Sequence, residues 1–223
     1  MRPFEIDVDL EDANLTGLAS NIDSSGTALV MDGALLDANL LFTSADGLGR
    51  IIVIVDSDTD TQSDVTFTIT GTDAQGNAIT NTITGPGSGA TVASTKYFKT
   101  VSSVSVSAAQ GGTEKVDIGT RGTTLSAVSK AYPLNYHDAV APMVSVNVTG
   151  TINFTVQHTY SDILANTDAS GTIVWEDVTA LASKTADTTA QLGIGAHAVR
   201  VVINTYSSGA ELQAIVTSVG HYQ

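Results

Sequence analysis

No cysteine occurs in the 223 residues, which excludes disulfide staples, thiolate zinc sites and a cysteine nucleophile. Stability must come from packing or from partners. Basic residues are scarce, nine Lys and Arg against 23 Asp and Glu, for a formal net charge of −14. Phosphate-backbone binding rests on clustered cations, so this deficit argues against a nucleic-acid partner, and an anionic membrane surface would repel the chain. Long hydrophobic runs are missing as well. The longest aliphatic stretch, Ile51-Ile52-Val53-Ile54-Val55, falls far short of the roughly 18 residues that span a bilayer. The opening residues Met1-Arg2-Pro3-Phe4-Glu5-Ile6-Asp7 alternate apolar with acidic side chains, whereas a secretory signal begins basic and continues apolar. The expected site of folding is therefore the compartment of synthesis. Helical spacing of apolar residues is almost absent.

The chain does contain ample material for a core. Hydrophobic residues make up 42% and charged residues 14%, so it is neither a disordered polyelectrolyte nor, with 20 glycines and four prolines, a collagen-like repeat. The length admits one large or two small domains. Fourteen of the 23 acids fall in residues 1–73, beside only Arg2 and Arg50 as bases. Such an acidic pole is first of all a solvated face, and it also repels copies of itself or steers a basic partner.

Alternation with a period of two is the clearest pattern. In Asp64-Val65-Thr66-Phe67-Thr68-Ile69-Thr70-Gly71 every second residue is apolar, which places Val65, Phe67 and Ile69 on one sheet face and threonines on the other. Residues 77–84 keep Ile79 and Ile83 in alternation, and the link Thr72-Asp73-Ala74-Gln75-Gly76 carries the Asp and Gly of a chain reversal, predicting a hairpin. Val104 to Ala108 and Val116 to Ile118 alternate too, and Arg50 to Val55 reads as a strand buried on both faces. Between Arg121 and Pro142 the alternation lapses, and Pro133 and Pro142 flank the aromatic stretch Tyr132 to Tyr136, so residues 121–142 read as a linker. Beyond it, Val144/Val146/Val148 and Ile152/Phe154/Val156 around Thr149-Gly150 predict a second hairpin. Further strands are expected at Thr172 to Val178, Ala198 to Thr205 and Glu211 to Ser218. In Asp177 to Leu192 a short helix competes, through Leu181, Ala182 and Ala186, against small polar residues that favour turns.

Many short strands with turn signals between them point to an all-β chain of two small antiparallel β-sandwich domains, immunoglobulin-like or jelly-roll-like, with an N-terminal extended arm. The expected boundaries are residues 1–45 for the arm and first strands, 46–120 for the first sandwich, 121–142 for the linker and 143–223 for the second sandwich.

Candidate chemistry is sparse. Asp56-Ser57-Asp58-Thr59-Asp60, followed by Asp64, spaces carboxylates as a hard cation such as calcium requires. The EF-hand pattern fails, however, since Thr61 and Phe67 stand where it needs Gly and Glu. The plain reading of these aspartates is a solvated loop. The four histidines are scattered: His137 neighbours Asp138 in the linker, His158 continues the Ile152/Phe154/Val156 face as a hydrogen-bonded residue at a strand end, and His197 and His221 have no companions. None forms a nucleophile-and-base arrangement, so no enzyme activity is expected. Gly193-Ile194-Gly195-Ala196-His197-Ala198 matches a loose dinucleotide-binding fingerprint, yet it leads into a strand rather than a helix, and Gly85-Pro86-Gly87-Ser88-Gly89 lacks a phosphate-binding Lys-Ser/Thr. No cofactor is implied. Trp175, the one tryptophan, is read as core, with a carbohydrate-stacking platform as the alternative.

Two groups of residues carry a resemblance. Phe67 to Asn77, Ile83 to Pro86 and Ser94 to Val104 resemble a module recurrent in tailed-bacteriophage virion proteins. Phe154 to Thr159, Trp175 to Leu181 and Ala198 to Asn204 resemble another such module. The resemblance implies a non-enzymatic structural protein of a phage particle, most plausibly a capsid decoration or cement protein made in the host cytoplasm and carried on the virion surface. Its implied partners are the major capsid protein and copies of itself, as a homotrimer by analogy with shell proteins at three-fold positions. A tail, baseplate or neck component is the alternative, and a carbohydrate-binding module a more distant one. Phe4, Ile6, Val8 and Leu10, alternating with Glu5, Asp7 and Asp9, are the expected assembly contacts, through an arm that adds a strand to a neighbour's sheet.

Overall fold

The strand-forming patterns dominate the structure, a computed structural model that describes residues 3–24, 27–58, 60–110, 113–123, 126–135, 140–164 and 173–217. The chain is all-β: seventeen strands are described, with one 3-10 turn at Thr179–Leu181 and no α-helix among the described residues. It divides into two compact units, one of residues 13–122 and one that joins residues 1–12 to residues 123–223.

The unit of residues 13–122 contains two antiparallel sheets. One is built from β2 (Ala19–Asp23), β4 (Gly49–Asp56), β7 (Thr91–Phe98) and β9 (Lys115–Thr120), in the order β7-β4-β9-β2. The other has β3 (Phe42–Thr43), β5 (Thr66–Thr72), β6 (Ala78–Thr84) and β8 (Thr100–Val106), in the order β3-β8-β5-β6. The first expected hairpin is present: β5 pairs with β6 from Thr66 opposite Thr84 to Thr72 opposite Ala78. Val65, Phe67 and Ile69 are buried, whereas Thr68 and Thr82 meet across the outer face, hydroxyl to hydroxyl at 3.2 Å. The turn is organised by Asp73, whose Oδ1 accepts the Gln75 and Asn77 backbone N–H groups at 2.9 and 2.8 Å. Gly76 takes the positive φ of 92° that L side chains rarely adopt. Where β5 bulges against β8, a Cβ on Gly71 would lie 1.8 Å from the Thr100 carbonyl oxygen, so only glycine permits that approach. Strand β4 is buried almost throughout, as expected of a strand covered on both faces.

The second unit contains β1 (Phe4–Asp9), β10 (Ala127–Val128), β11 (Tyr132–Pro133), β12 (Met143–Thr149), β13 (Ile152–Thr159), β14 (Glu176–Asp177), β15 (Thr188–Gln191), β16 (Ala198–Tyr206) and β17 (Glu211–Thr217). One sheet runs β1-β17-β12-β15, while β13 pairs with β14 and β16, and β16 also takes β10 and β11. The second expected hairpin is absent. β12 pairs with β17, and β13 with β16, so the two strands flanking Gly150 belong to different sheets. The reason is that the chain crosses over at Gly150, with φ +78°, beside the return crossover of residues 207–210. The Ser207 N–H donates to the Thr151 carbonyl at 2.9 Å, and a Cβ on Gly150 would sit 3.3 Å from the Ala210 Cα. Both strands then bury an alternating apolar face, Val144 and Val146 from one, Ile152, Phe154 and Val156 from the other.

Two further differences concern the expected boundaries. Residues 4–9 are not an extended arm. They form the edge strand β1 on β17, in register from Phe4 opposite Val216 to Asp9 opposite Glu211, because Ile6, Val8 and Leu10 find a buried apolar site there. Within the segment expected as a linker, Ala127, Val128 and Leu134 are buried and β10 and β11 pair with β16, so these residues are built into the second unit. In the stretch from Asp177 to Leu192 the small polar residues prevail over helical spacing, leaving the 3-10 turn and β15.

Candidate functional site

The acidic loop after β4 is held by backbone amides, one from within the loop and two from distant segments. Asp56 is buried and its Oδ2 accepts the Gly89 N–H at 2.5 Å, tying the end of β4 to the glycine-rich loop between β6 and β7. The Asp58 carboxylate accepts the Asp60 N–H at 2.7 Å through Oδ1 and the Lys115 N–H at 2.5 Å through Oδ2. The Asp60 bond is the largest cause of an Asp58 carboxyl pKa below its ordinary value, with Lys115 and Asp56 adding to the effect against a desolvation that opposes it. Asp60 Oδ2 accepts the Thr113 hydroxyl at 3.1 Å, and Asp64 is exposed in the turn before β5. The loop is thus pinned by carboxylate-to-amide hydrogen bonds. Among the described residues no three acidic or histidine side chains gather as ligands for a metal ion, so Asp56, Asp58, Asp60 and Asp64 are not brought together as a calcium set.

β1 shows how the assembly candidates are disposed. Ile6, Val8 and Leu10 point into the core of the second unit, and Phe4 stacks on Tyr132 with ring centroids 5.4 Å apart. Half-burial raises the Tyr132 phenol pKa, and the Lys130 ammonium lies 5.0 Å from the centre of the same ring. The carboxylates of Glu5, Asp7 and Asp9 line the exposed face of the strand. Its continuation is anchored too: Leu10 N–H donates to the Ala210 carbonyl at 3.1 Å, the Tyr206 hydroxyl donates to the Glu11 carbonyl at 2.7 Å, and Ser208 Oγ donates to Asp12 Oδ2 at 2.8 Å.

His158 sits at the end of β13 on the buried face, as the alternation predicted, but it is not held by a strong hydrogen bond. Its Nε2 is 3.8 Å from Glu176 Oε2, its ring meets the Tyr160 ring edge-on at 5.1 Å, and its buried Nδ1 has no partner among the described residues. The adjacent Thr159 hydroxyl donates to the Val174 carbonyl at 2.7 Å. His137, Asp138 and His221 lie outside the described residues. Gly193 to Ala196 closes a loop that enters β16. It therefore lacks the strand-to-helix setting of a dinucleotide site.

Trp175 is half-exposed rather than core. The Arg200 guanidinium lies 4.0 Å over its ring, and Arg200 Nε donates to Gln157 Oε1 at 2.9 Å while Gln157 Nε2 donates to Asp177 Oδ1 at 2.8 Å. One indole face is therefore taken by a cation, which leaves at most the other for a sugar ring.

Sequence reasoning missed the pair formed by Asp46 and Arg50, closed to solvent in the unit of residues 13–122. The signal was present: an arginine opening an Ile/Val run that is buried on both faces needs a buried partner. No protein-family model matches the chain, and no curated protein matches it.

Proposed function

We propose that the protein is a non-enzymatic structural component of a tailed-phage particle, a capsid decoration or cement protein that binds the outer shell and stabilises it. The observation that supports this reading is that much of the sequence resembling virion modules is strand: Phe67 to Thr72 falls in β5, Ile83 and Thr84 end β6, residues 94–98 and 100–104 fall in β7 and β8, and Phe154 to Thr159 and Ala198 to Asn204 fall in β13 and β16, while Trp175 to Leu181 holds only the short β14 and a 3-10 turn. Short antiparallel strands with threonines on the outer face and few cations suit a protein that folds alone and then lies in many copies on a shell. Carboxylates already engaged with backbone amides are consistent with a structural rather than catalytic use of the acidic residues. The partners under this reading are the major capsid protein and further copies of the chain, arranged as trimers at three-fold positions.

The test is binding of the purified full-length chain to capsids stripped of their outer proteins, alongside isolated tails. Saturable binding to capsids, with a raised temperature of shell disruption, supports the decoration role. Failure to bind capsids together with copurification with tails overturns it in favour of a tail, baseplate or neck component.

A further inference from the structure

Three segments of the second unit meet where β13 ends. The Thr159 hydroxyl donates to the Val174 carbonyl at 2.7 Å and the Val174 N–H donates to Ser161 Oγ at 3.2 Å, which ties the lead-in to β14 against the end of β13. The His197 N–H donates to the Thr159 carbonyl at 2.7 Å, and a Cβ on Gly193 would lie 1.9 Å from Tyr160 Oη, so the loop between β15 and β16 packs on the same end. Two more bonds fix the backbone there: Thr159 Oγ1 accepts the Ser161 N–H at 3.0 Å, and Asp162 Oδ1 accepts the Leu164 N–H at 2.9 Å. These segments hold four of the eight large apolar side chains exposed among the described residues, Tyr160, Leu164, Val174 and Ile194. Single exposed apolar residues are ordinary, but a cluster on adjoining loops marks an interaction surface. Its rim is acidic. Residues 158–164, 173–177 and 192–197 carry Asp162, Glu176 and Asp177, all exposed, and no Lys or Arg.

We propose that this end of the second unit is the surface by which the protein docks on its partner, and that the partner presents an apolar recess rimmed by Lys or Arg. Charge decides the occupant. A second copy turned face to face would set these carboxylates against their like, on a chain whose net charge is already −14. A basic rim satisfies them instead and leaves Tyr160, Val174 and Ile194 to be covered at the centre, the arrangement of apolar core and polar rim that specific interfaces share. The surface is also pre-organised. The side-chain bonds from Thr159, Ser161 and Asp162 already hold the loops in place, so docking orders little further chain. The inference deepens the particle reading and rests on it for the partner, which is then the shell subunit.

The test measures binding of full-length variants to capsids stripped of their outer proteins, with the melting temperature as the check on folding. Val174 and Ile194 are 65% and 66% exposed, so V174S/I194S should melt with the unmodified chain. It should bind capsids about tenfold more weakly or worse, as the loss of central interface anchors does. E176K reverses one rim charge and should weaken binding at low salt, the difference shrinking as salt is raised. L40N is the control. Leu40 is exposed in the unit of residues 13–122 and has a φ of 59°, a conformation that asparagine accepts, so L40N should change binding by less than about twofold. Binding of V174S/I194S as tight as that of the unmodified chain overturns the inference and leaves the particle reading in place, and so does an equal loss in L40N. Failure of the unmodified chain to bind capsids overturns the particle reading and this partner with it. Self-association of the unmodified chain that V174S/I194S abolishes, read by light scattering, makes the surface an interface between copies and overturns the proposal as well.

Discussion

Asp46 and Arg50, four residues apart, form an ion pair shut off from water: the arginine side chain is 1% exposed and the aspartate carboxylate is fully covered. The same carboxylate accepts the Ser44 hydroxyl at 2.6 Å and the Leu48 N–H at 3.0 Å, so it joins the loop before β4 to the strand itself. Replacing Asp46 by alanine strands a buried cation, which typically costs about 3–5 kcal/mol. Urea denaturation should show a loss of that size in D46A. A change within ~0.5 kcal/mol, the range of an ordinary surface substitution, would contradict the burial of the pair.

Asp58 makes stability depend on pH in a defined direction. Its folded pKa is lowered from 3.8, chiefly by the Asp60 N–H, so its contribution is complete above the unfolded value and is lost as pH falls through the depressed folded value. In a carboxyl NMR titration the Asp58 midpoint should lie below that of an unconstrained aspartate. D58N should lower the melting temperature at neutral pH and lessen the fall in stability on acidification below that ordinary value. Equal acid sensitivity of D58N and the unmodified chain would show that the loop bonds contribute nothing.

Because Asp56 and Asp58 already direct their carboxylates at backbone amides and the four aspartates are not gathered as a ligand set, chelation should leave the melting temperature unchanged within error. A calcium-dependent rise of several degrees, which a ligand binding only the folded state produces, would require the aspartates to rearrange into a site.

Trp175 is the only tryptophan and reports on its own environment. Removing the guanidinium above it in R200A should increase acrylamide quenching of its fluorescence and shift its emission, with the melting transition nearly preserved. Unchanged quenching would mean that Arg200 does not cover the ring in solution.

The alternation of Val65, Phe67 and Ile69 was enough to read the faces of β5, and Asp73 with Gly76 enough to read its turn, because both signals are local. Partner choice is not local. The same Thr149-Gly150 step that suits a tight hairpin also suits a crossover between sheets, and nothing between Val144 and Val156 distinguishes them; the decision is made by β16 and β17, some fifty residues later. β1 was legible as an alternating acidic and apolar strand, but its partner β17 lies some two hundred residues away, so an internal edge strand and a free arm had the same local pattern. At the candidate site the carboxylate spacing was visible, whereas the backbone donors to Asp56 and Asp58, from Gly89 in the loop before β7 and from Lys115 at the start of β9, are distant in sequence.

Quantitative mass spectrometry of purified virions, counting this chain against the major shell protein, tests the proposed role most directly. A decoration protein should be present in the hundreds per particle, in a fixed small-integer ratio to the shell subunit, and should be lost when the outer layer is stripped. A few copies in a small rotational set that remain with the tail after the capsid is removed, or no copies at all, would contradict it.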